Sequence, residues 1–464
     1  MDEKLLSVFA TLFIVIFSGC ASDRSEDGRV RSVVLGREIE SYYAPKEAAG
    51  ALGDEPGPAD RNEIMTLPRA LSLALMHNPK LKTFAWEVRA SEARALQASV
   101  WPNPEFDLEV EEVGGAGDRS GFDGAETTVQ LSQFIELGDK RGKRTKVASL
   151  ENDISQWDYE ARRLDVFTSV VKAFTETLAA QERLRLAEDM LQLSGELAET
   201  VSQRVDAGKD SPLEETKAAV VVANARIRHQ QALKYLELSR MQLAATWGST
   251  APRFEKVSGL LSVRPIPAMD ELAGLTEQNV DVVRSSLEVD REKAALELEK
   301  AKAVSDITLS GGLQRFEEAG DNAIVFGISV PLPVSDRNQG GRAEAAYNLA
   351  RAREEQRATR TRIEVELASA YHALSNAYAE AYELDQNVVQ NAERVFDASR
   401  EGYSQGKLDY LNLLDAQRTF FEAKARYIDA LSSYHLARAD VEHLIGCGLS
   451  AVPGVHEVNA QQNE

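Results

Sequence analysis

Two periods of hydrophobicity alternate along this chain. Over long stretches apolar or small residues recur three and four positions apart, the seam of a coiled coil. The first such stretch runs through Val147, Leu150, Ile154, Trp157, Ala161, Leu164, Phe167, Val171, Phe174 and Leu178. From about Lys140 to Asp206 it predicts one helix roughly 100 Å long at 1.5 Å per residue. A second, from about Arg342 to Ser404, carries a smaller-residue seam through Ile363, Leu367, Ala370, Leu374, Ala377, Ala381, Val388, Ala392 and Val395. Small seam residues let helices approach closely, and closely packed helices build a thin-walled tube.

Ahead of each long helix the period drops to two. Phe106, Leu108 and Val110 alternate with Glu105, Asp107, Glu109 and Glu111. Further on, Ile324, Phe326, Ile328 and Val330 alternate with Val325, Gly327 and Ser329. "TTVQLSQF" (127–134) and "DITLSGGLQ" (306–314) are their partners, joined to them by Gly-rich turns. Strands of about nine residues fit membrane-spanning β-strands, although periodicity alone equally allows a half-exposed soluble sheet packed on helices. A closed membrane barrel needs at least about eight strands, so four per chain require an oligomer.

The two halves are copies of one plan. "VDAGKDSPLEETKA" (205–218) aligns with "YSQGKLDYLNLLDAQ" (403–417), placing Gly208 over Gly406. Asn78 likewise aligns with Asn279. Each glycine supplies the left-handed residue that ends a helix. In the first copy Ser211 then caps a new helix with Pro212 at its first position and Glu214 completing a capping box. Both sites are read as tight helical hairpins. The first repeat is placed at 66–248, with strands at about 103–112 and 125–135, a long helix at about 140–206 and a return helix at 211–247. A linker covers 249–269. The second repeat is placed at 270–446, with strands at about 306–316 and 322–331, a long helix at about 341–404 and a return helix at 409–445. A polar tail covers 447–464.

Composition narrows the class. With 43% hydrophobic and 27% charged residues, the chain should fold and is not a polytopic helical membrane protein. Its formal charge of −21 makes nucleic acid a poor partner. The apolar run at 5–17 is too short to span a bilayer but suits a signal-peptide core. It leads into "FSGC" (17–20), which resembles a bacterial lipobox. Residues 1–19 are therefore read as a lipoprotein signal peptide, Cys20 as the lipidated N-terminus and 20–65 as a linker. Cys447 then has no internal disulfide partner.

Candidate chemistry is sparse. The six histidines, His77, His229, His372, His435, His443 and His456, show no HxxH or HExxH spacing, so no metal centre is expected. No GxSxG, P-loop or GxGxxG is present, and no enzyme activity or cofactor is read beyond the lipid on Cys20. Lys140, Arg141, Lys143 and Arg144 crowd a helix N-terminus where the macrodipole disfavours cations. Two partners are open for them: lipid phosphates of the inner leaflet, or acidic groups across a subunit interface. Glu105, Asp107, Glu109 and Glu111 would line a barrel lumen if the alternating apolar residues face lipid. They would either attract cations or simply solvate a water-filled interior.

Several segments together carry a resemblance: "TLPRALSLALMHNPKL" (66–81), "WPNPEFDLEVE" (101–111), "QLSQFIELGDKRGKR" (130–144), "ISVPLPVSDRNQGG" (328–341) and "GYSQGKLDYLNLLDAQR" (402–418). The chain resembles the TolC family of outer-membrane factors over nearly all of its length after residue 65. "AGKDSPLEETKA", "ELGDKRGKR" and "LPVSDRNQGG" look most like its CzcC-type, heavy-metal cation efflux subgroup. The resemblance implies a mostly α fold with a small β part: a duplicated helical-hairpin tunnel, and four strands per chain contributing to a trimeric 12-stranded outer-membrane barrel. It implies a homotrimer that meets a periplasmic adaptor and an inner-membrane pump of the resistance-nodulation-division class. The hairpins, with Gly208, Ser211, Pro212, Gly406 and Lys407, would be the periplasmic tips where the adaptor docks. Family channels gate at that tip through a tyrosine, a basic residue and acidic residues. Tyr403 and Asp415 fall on matching positions, whereas Leu408 replaces the basic residue and Asn412 one acid. Phe134 stands where the family pattern has Pro.

The function expected is a passive exit duct of a tripartite efflux system for heavy-metal cations. A duct for drugs or secreted polypeptides is one alternative. A lipid-anchored periplasmic coiled-coil scaffold is another, from a different class.

Overall fold

The computed structural model describes residues 35–46 and 63–452. Cys20 and His456 lie outside them. The described chain runs β1 (Glu63–Thr66), α1 (Leu67–His77), α2 (Pro79–Ser99), β2 (Glu105–Glu111), β3 (Glu126–Ile135), α3 (Lys140–Asp206) and α4 (Pro212–Ala245). It continues through β4 (Phe254–Ser258), α5 (Met269–Ala273), α6 (Val280–Lys302), β5 (Ile307–Phe316) and β6 (Asp321–Ser329). The second long helix follows as α7 (Gln339–Glu383), a π-helical turn (Leu384–Val389) and α8 (Gln390–Ser404), and α9 (Tyr410–Ile445) returns. No helix among the described residues is long and apolar enough to cross a membrane.

Equivalent residues do equivalent work in the two halves. Asn78 accepts from the Leu81 N–H (3.0 Å) to cap α2 and donates to the Thr246 carbonyl just beyond α4 (2.7 Å). Asn279 accepts from the Asp281 N–H (2.9 Å) to cap α6 and donates to the Leu444 carbonyl near the end of α9 (2.8 Å). One amide thus fixes a helix start against a helix end in each repeat, using both its acceptor and its donor. Both long helices also start behind a left-handed residue, Asp139 (φ 58°) and Asn338 (φ 54°), the side-chain types that tolerate that conformation best.

The hairpins are duplicates down to their hydrogen bonds. After α3 the Gly208 N–H reaches the Val205 carbonyl (2.9 Å) and the Lys209 N–H the Arg204 carbonyl (2.9 Å). After α8 the Gly406 N–H reaches the Tyr403 carbonyl (2.9 Å) and the Lys407 N–H the Gly402 carbonyl (2.8 Å). These are Schellman closures around glycines at φ 69° and 73°. Ser211 caps α4, but its hydroxyl accepts from Leu213 (3.2 Å), one residue earlier than a capping box requires. The Glu214 N–H bonds the Ser211 carbonyl instead (2.8 Å).

The helical pairs α4–α3, α3–α9 and α9–α7 pack side by side, so α4 and α7 are the outer edges of the helical layer. Among the described residues its three largest cores are the following. One joins α1, α2 and α3 through Leu75, Leu81, Tyr159 and Phe174; one joins α7 and α9 through Ile363, Leu367, Leu374 and Tyr434; one fills the tip around Phe396, Tyr403, Tyr410 and Phe420.

Four features depart from the sequence pattern. The second long helix is interrupted, because Leu384 and Val389, five positions apart, both face inward across the π turn. That extra residue rotates the seam, so Val388 and Val395 point outward while Ala392, Phe396, Ser399 and Tyr403 are buried. The two linkers contain paired strands, β1 running parallel to β4. Residues 35–46 form a packed strap: Tyr159 donates to the Tyr42 carbonyl (2.6 Å), Arg163 to the Leu35 carbonyl (3.1 Å) and Leu35 to the Gly446 carbonyl (3.0 Å). At the other terminus, Leu449 and Val452 of the tail are buried against α9.

Candidate functional site at the sheet and the helical tip

The sheet has the order β2-β3-β5-β6, antiparallel throughout. Its register puts Phe106, Leu108 and Val110 beside Val129 and Leu131, then Leu309 and Leu313, then Ile324, Phe326 and Ile328 on one face. None of these is covered: Phe106 is 69% exposed, Ile328 74% and Phe326 78%. A soluble sheet would bury such a face, whereas a face turned to lipid needs no cover. The opposite face carries Glu105, Asp107, Glu109 and Glu111, then Glu126, Thr128, Gln130 and Ser132, then Ser310 and Gln314. Ser132 donates to Asp107 (3.2 Å) and Gln314 to Glu126 (2.9 Å). Phe134 pairs regularly with Thr308, without a strand-end irregularity.

The basic cluster below the sheet is mostly spoken for within the chain. Lys140 is buried, pairs with Asp306 (2.7 Å) and donates to the Val304 carbonyl (2.6 Å). Arg144 pairs with Glu136 (2.5 and 3.1 Å) and donates to the Ala98 carbonyl (3.1 Å). The expected external anion is therefore unnecessary for these two. Arg141 lies over the half-exposed Trp101 ring at 4.1 Å, and Lys143 reaches back to the Gly138 carbonyl (3.2 Å) with Glu297 near enough to feel its charge. Those two are the cations left facing outward.

At the tip, Gly208, Ser211, Pro212, Gly406 and Lys407 are at or near the two turns. Tyr403 is buried, and its hydroxyl donates to Asp210 in the first hairpin (2.7 Å). Arg204 grips the same carboxylate with two nitrogens (2.7 and 3.0 Å) and donates to the Tyr403 carbonyl (3.1 Å). Its guanidinium also covers the Tyr403 ring at 4.6 Å. The Arg204 bond, with help from Tyr403, holds the Asp210 carboxyl below the usual carboxylate range. Burial first, then the Asp210 charge, pushes the Tyr403 phenol above its usual value. Asp415 is elsewhere: it is exposed and pairs with Arg418 one turn along α9 (2.8 Å). Within the chain, Tyr403 and Asp415 are thus not partners; Tyr403 is held instead by Arg204 and Asp210. The "GKD" triplet of the first hairpin was the available signal for Asp210. Nothing in spacing alone directed Arg204 to a tyrosine 199 residues away.

Beside the tip a groove of about 650 Å³ runs between α4 and α9, lined by Val221, Ile227, Leu411, Leu414 and Phe421 over Met190 of α3. Among the described residues no group of His, Cys, Asp and Glu is arranged to hold a metal ion.

This architecture has counterparts. Residues 70–249 and 274–447 match the family described as outer membrane efflux protein, one match on each repeat. The chain belongs to that family. It is 36% identical over 403 residues to the cobalt-zinc-cadmium resistance protein CzcC of Cupriavidus metallidurans, covering 87% of this chain and 92% of CzcC. It is 27% identical to the nickel-cobalt-cadmium resistance protein NccC of Alcaligenes xylosoxydans over 61% of this chain and 64% of NccC. The outer membrane protein VceC of Vibrio cholerae has the same fold, with a TM-score of 0.70 at 20% identity, over 82% of this chain and 96% of VceC. As an outer membrane efflux protein, the chain places its strands in the outer membrane and its helices in the periplasm. The scaffold alternative, which needs a soluble sheet, fails on the same bare apolar face.

Proposed function

We propose that three copies of this chain form the passive outer-membrane exit duct of a tripartite pump for divalent heavy-metal cations. The observation that carries the duct is the bare apolar sheet face backed by an acidic one and continued by helices of the α3 kind, 67 residues long. Four strands leave β2 and β6 as open edges, which three copies close into one barrel. The helical edges support the same closure. Leu213, Val220 and Ile227 lie exposed seven apart on α4, and Val388 and Val395 lie exposed seven apart on the opposite edge.

Cation cargo is supported by CzcC and NccC, both named for metal resistance, and by Glu105, Asp107, Glu109 and Glu111, whose charge around a pore favours cations. The duct has no energy source of its own, so an adaptor at the tip and an inner-membrane pump supply the driving force. Gly208, Ser211, Pro212, Gly406 and Lys407 form the adaptor surface, flanked by the groove between α4 and α9. Lipid on Cys20 anchors the N-terminus, and Arg141 with Trp101 and Lys143 meets the headgroups of the inner leaflet. Tyr403 is the gate residue at the tip, and Asp415 contributes charge at its mouth.

Planar-bilayer conductance of the purified protein tests this, with selectivity read from the reversal potential in a salt gradient. Cation-selective openings are expected, and Glu105→Gln with Glu109→Gln should reduce the selectivity. Anion selectivity, or selectivity indifferent to those substitutions, would overturn the acidic-lumen reading. A drug or polypeptide duct would instead show no loss of metal tolerance when the gene is deleted.

A further inference from the structure

A cavity of about 470 Å³ lies between α3 and α9, under the linker that follows β4. Its α3 residues run from Leu178 to Asp189, roughly 60–70 Å from the sheet end of that helix at 1.5 Å per residue. The shape is fixed by the chain itself. Gln181 holds the roof by donating to the Val257 carbonyl (3.1 Å) and accepting from its N–H (2.7 Å). Gly259 then lies so close to Leu178 that a Cβ there would meet its Cδ1 at 2.9 Å. Val389, the last residue of the π turn, forms part of the wall, and Tyr427 of α9 donates to Asp385 of the same turn. Turns of this kind are frequent at functional sites.

The lining has two chemistries. Leu178, Leu186, Ile428 and Leu431 supply an apolar floor, and Leu260 of the roof is 90% exposed. Around it stand Glu182, Arg185 and Asp189 of α3, with Lys424 of α9. The three on α3 are three and four apart, the spacing at which ion pairs form on a helix. None of them takes a hydrogen bond or ion pair among the described residues, whereas the neighbouring Arg183 pairs with both Glu176 and Asp429. Lys424 lies over the Phe420 ring at 4.4 Å. Uncommitted charges of both signs, within about 10 Å and around an apolar floor, suit a short ligand that carries carboxylates, an amine and small apolar groups together. We propose that this cavity binds the peptide stem of the bacterial cell wall. The helices stand in the periplasm, where a structure of this length passes through the wall. The stem offers the required combination in one short chain: alanine methyls, a glutamate carboxylate, and diaminopimelate with an amine and a carboxylate of its own. Arg185 and Lys424 take the carboxylates, Glu182 and Asp189 take the free amine, and the methyls lie on the apolar floor beside Leu260. A helical partner fits less well, since a cavity of this size under a fixed roof has room for about two or three residues. The site requires only that the helices be periplasmic, so it is independent of the duct.

The test is a calorimetric titration of the full-length protein in neutral detergent with the synthetic stem L-Ala-γ-D-Glu-meso-diaminopimelate-D-Ala. Saturable binding is expected, with a Kd on the order of 0.1–1 mM. Arg185→Gln with Lys424→Gln should weaken it about tenfold, as should Glu182→Gln with Asp189→Asn. A stem acetylated on its free amine separates the two pairs. Wild type should bind it about tenfold more weakly than the unmodified stem, whereas the variant lacking Glu182 and Asp189 should bind both stems alike. Melting temperatures near that of wild type show that the variants keep their fold. Purified sacculi then distinguish the wall-attached stem from free peptide: wild type should pellet with them, and both variants several-fold less. Absence of saturable binding below about 10 mM overturns the proposal, as does equal binding by wild type and both variants. Equal binding of wall glycan stripped of its stems also overturns it, as does wild type that fails to pellet with sacculi.

Discussion

The Tyr403 hydroxyl donates to Asp210, a residue of the other hairpin, at 2.7 Å, while Arg204 holds the same carboxylate from behind. A buried phenol, a carboxylate and a guanidinium satisfy one another, so removing any one of them leaves the others short of a partner. This makes the tip sensitive to the protonation of a single acid.

The direction of that sensitivity follows from Asp210. Its folded-state pKa is depressed, first by the Arg204 bond and then by Tyr403. A depressed carboxyl contributes stability that is present above its unfolded value of about 3.9 and is lost as pH falls through the lower folded value. The hairpin separation is therefore expected to hold from neutral pH down past the ordinary carboxylate range, and to increase only below it. Asp210→Asn should remove that acid limb and leave a separation already enlarged at neutral pH. The distance between spin labels at Lys209→Cys and Lys407→Cys, recorded against pH, measures both.

The π turn gives a second expectation. Leu384 and Val389 face inward five positions apart, so one residue more than an α-helix needs lies between them. Deleting the exposed Gln386 would leave Leu384 and Val389 four apart, so a continuous α-helix would still face both inward and keep Phe396 and Tyr403 in the tip core. The melting temperature and the resistance of the hairpins to proteolysis are expected to stay near those of the wild type. A loss on the order of 3–5 kcal/mol, the scale of emptying an aromatic site, would mean that the turn does not simply accommodate one extra residue.

Much of this architecture was legible because its signals are local. Alternation at Phe106, Leu108 and Val110 determines which face a strand shows, and Gly208 or Pro212 ends or begins a helix within a few residues. Asn78 and Asn279 betrayed the duplication by their matched places. What was not legible depends on contacts between distant segments. Lys140 looked like a cation in search of an anion because Asp306, its partner, lies in the other repeat. Arg204, which no motif singles out, meets Tyr403 in the other hairpin, 199 residues away. The π turn was invisible because the pattern of Val388 and Val395 continues smoothly through it at the α period, and only packing against α9 shows that the seam has rotated.

The two faces of the sheet should respond oppositely to charge. Phe326→Lys places a cation on the lipid side, costing roughly 2–4 kcal/mol near the bilayer midplane in each copy. The heat-modifiable, folded band on a gel is expected to be lost. Glu109→Lys, on the opposite face, should keep that band and shift the reversal potential toward anions. If both substitutions abolished the band, the assignment of faces would be wrong.

The basic cluster allows a sharper division between internal and external partners. Asp306→Asn leaves Lys140 buried without its counter-ion, a change that costs on the order of 3–5 kcal/mol because a charge stranded out of water keeps its desolvation penalty. Arg141→Gln removes a cation stacked on an exposed Trp101, which is worth about 0.5–1 kcal/mol at a surface. Thermal unfolding in neutral detergent should therefore separate the two variants clearly. Binding to vesicles should reverse the order. Arg141→Gln combined with Lys143→Gln is expected to weaken association with anionic lipid by roughly 1 kcal/mol per charge, and Asp306→Asn, once folded, should leave it unchanged. Equal vesicle binding by all variants would return the outward cations to the role of solvated surface charge.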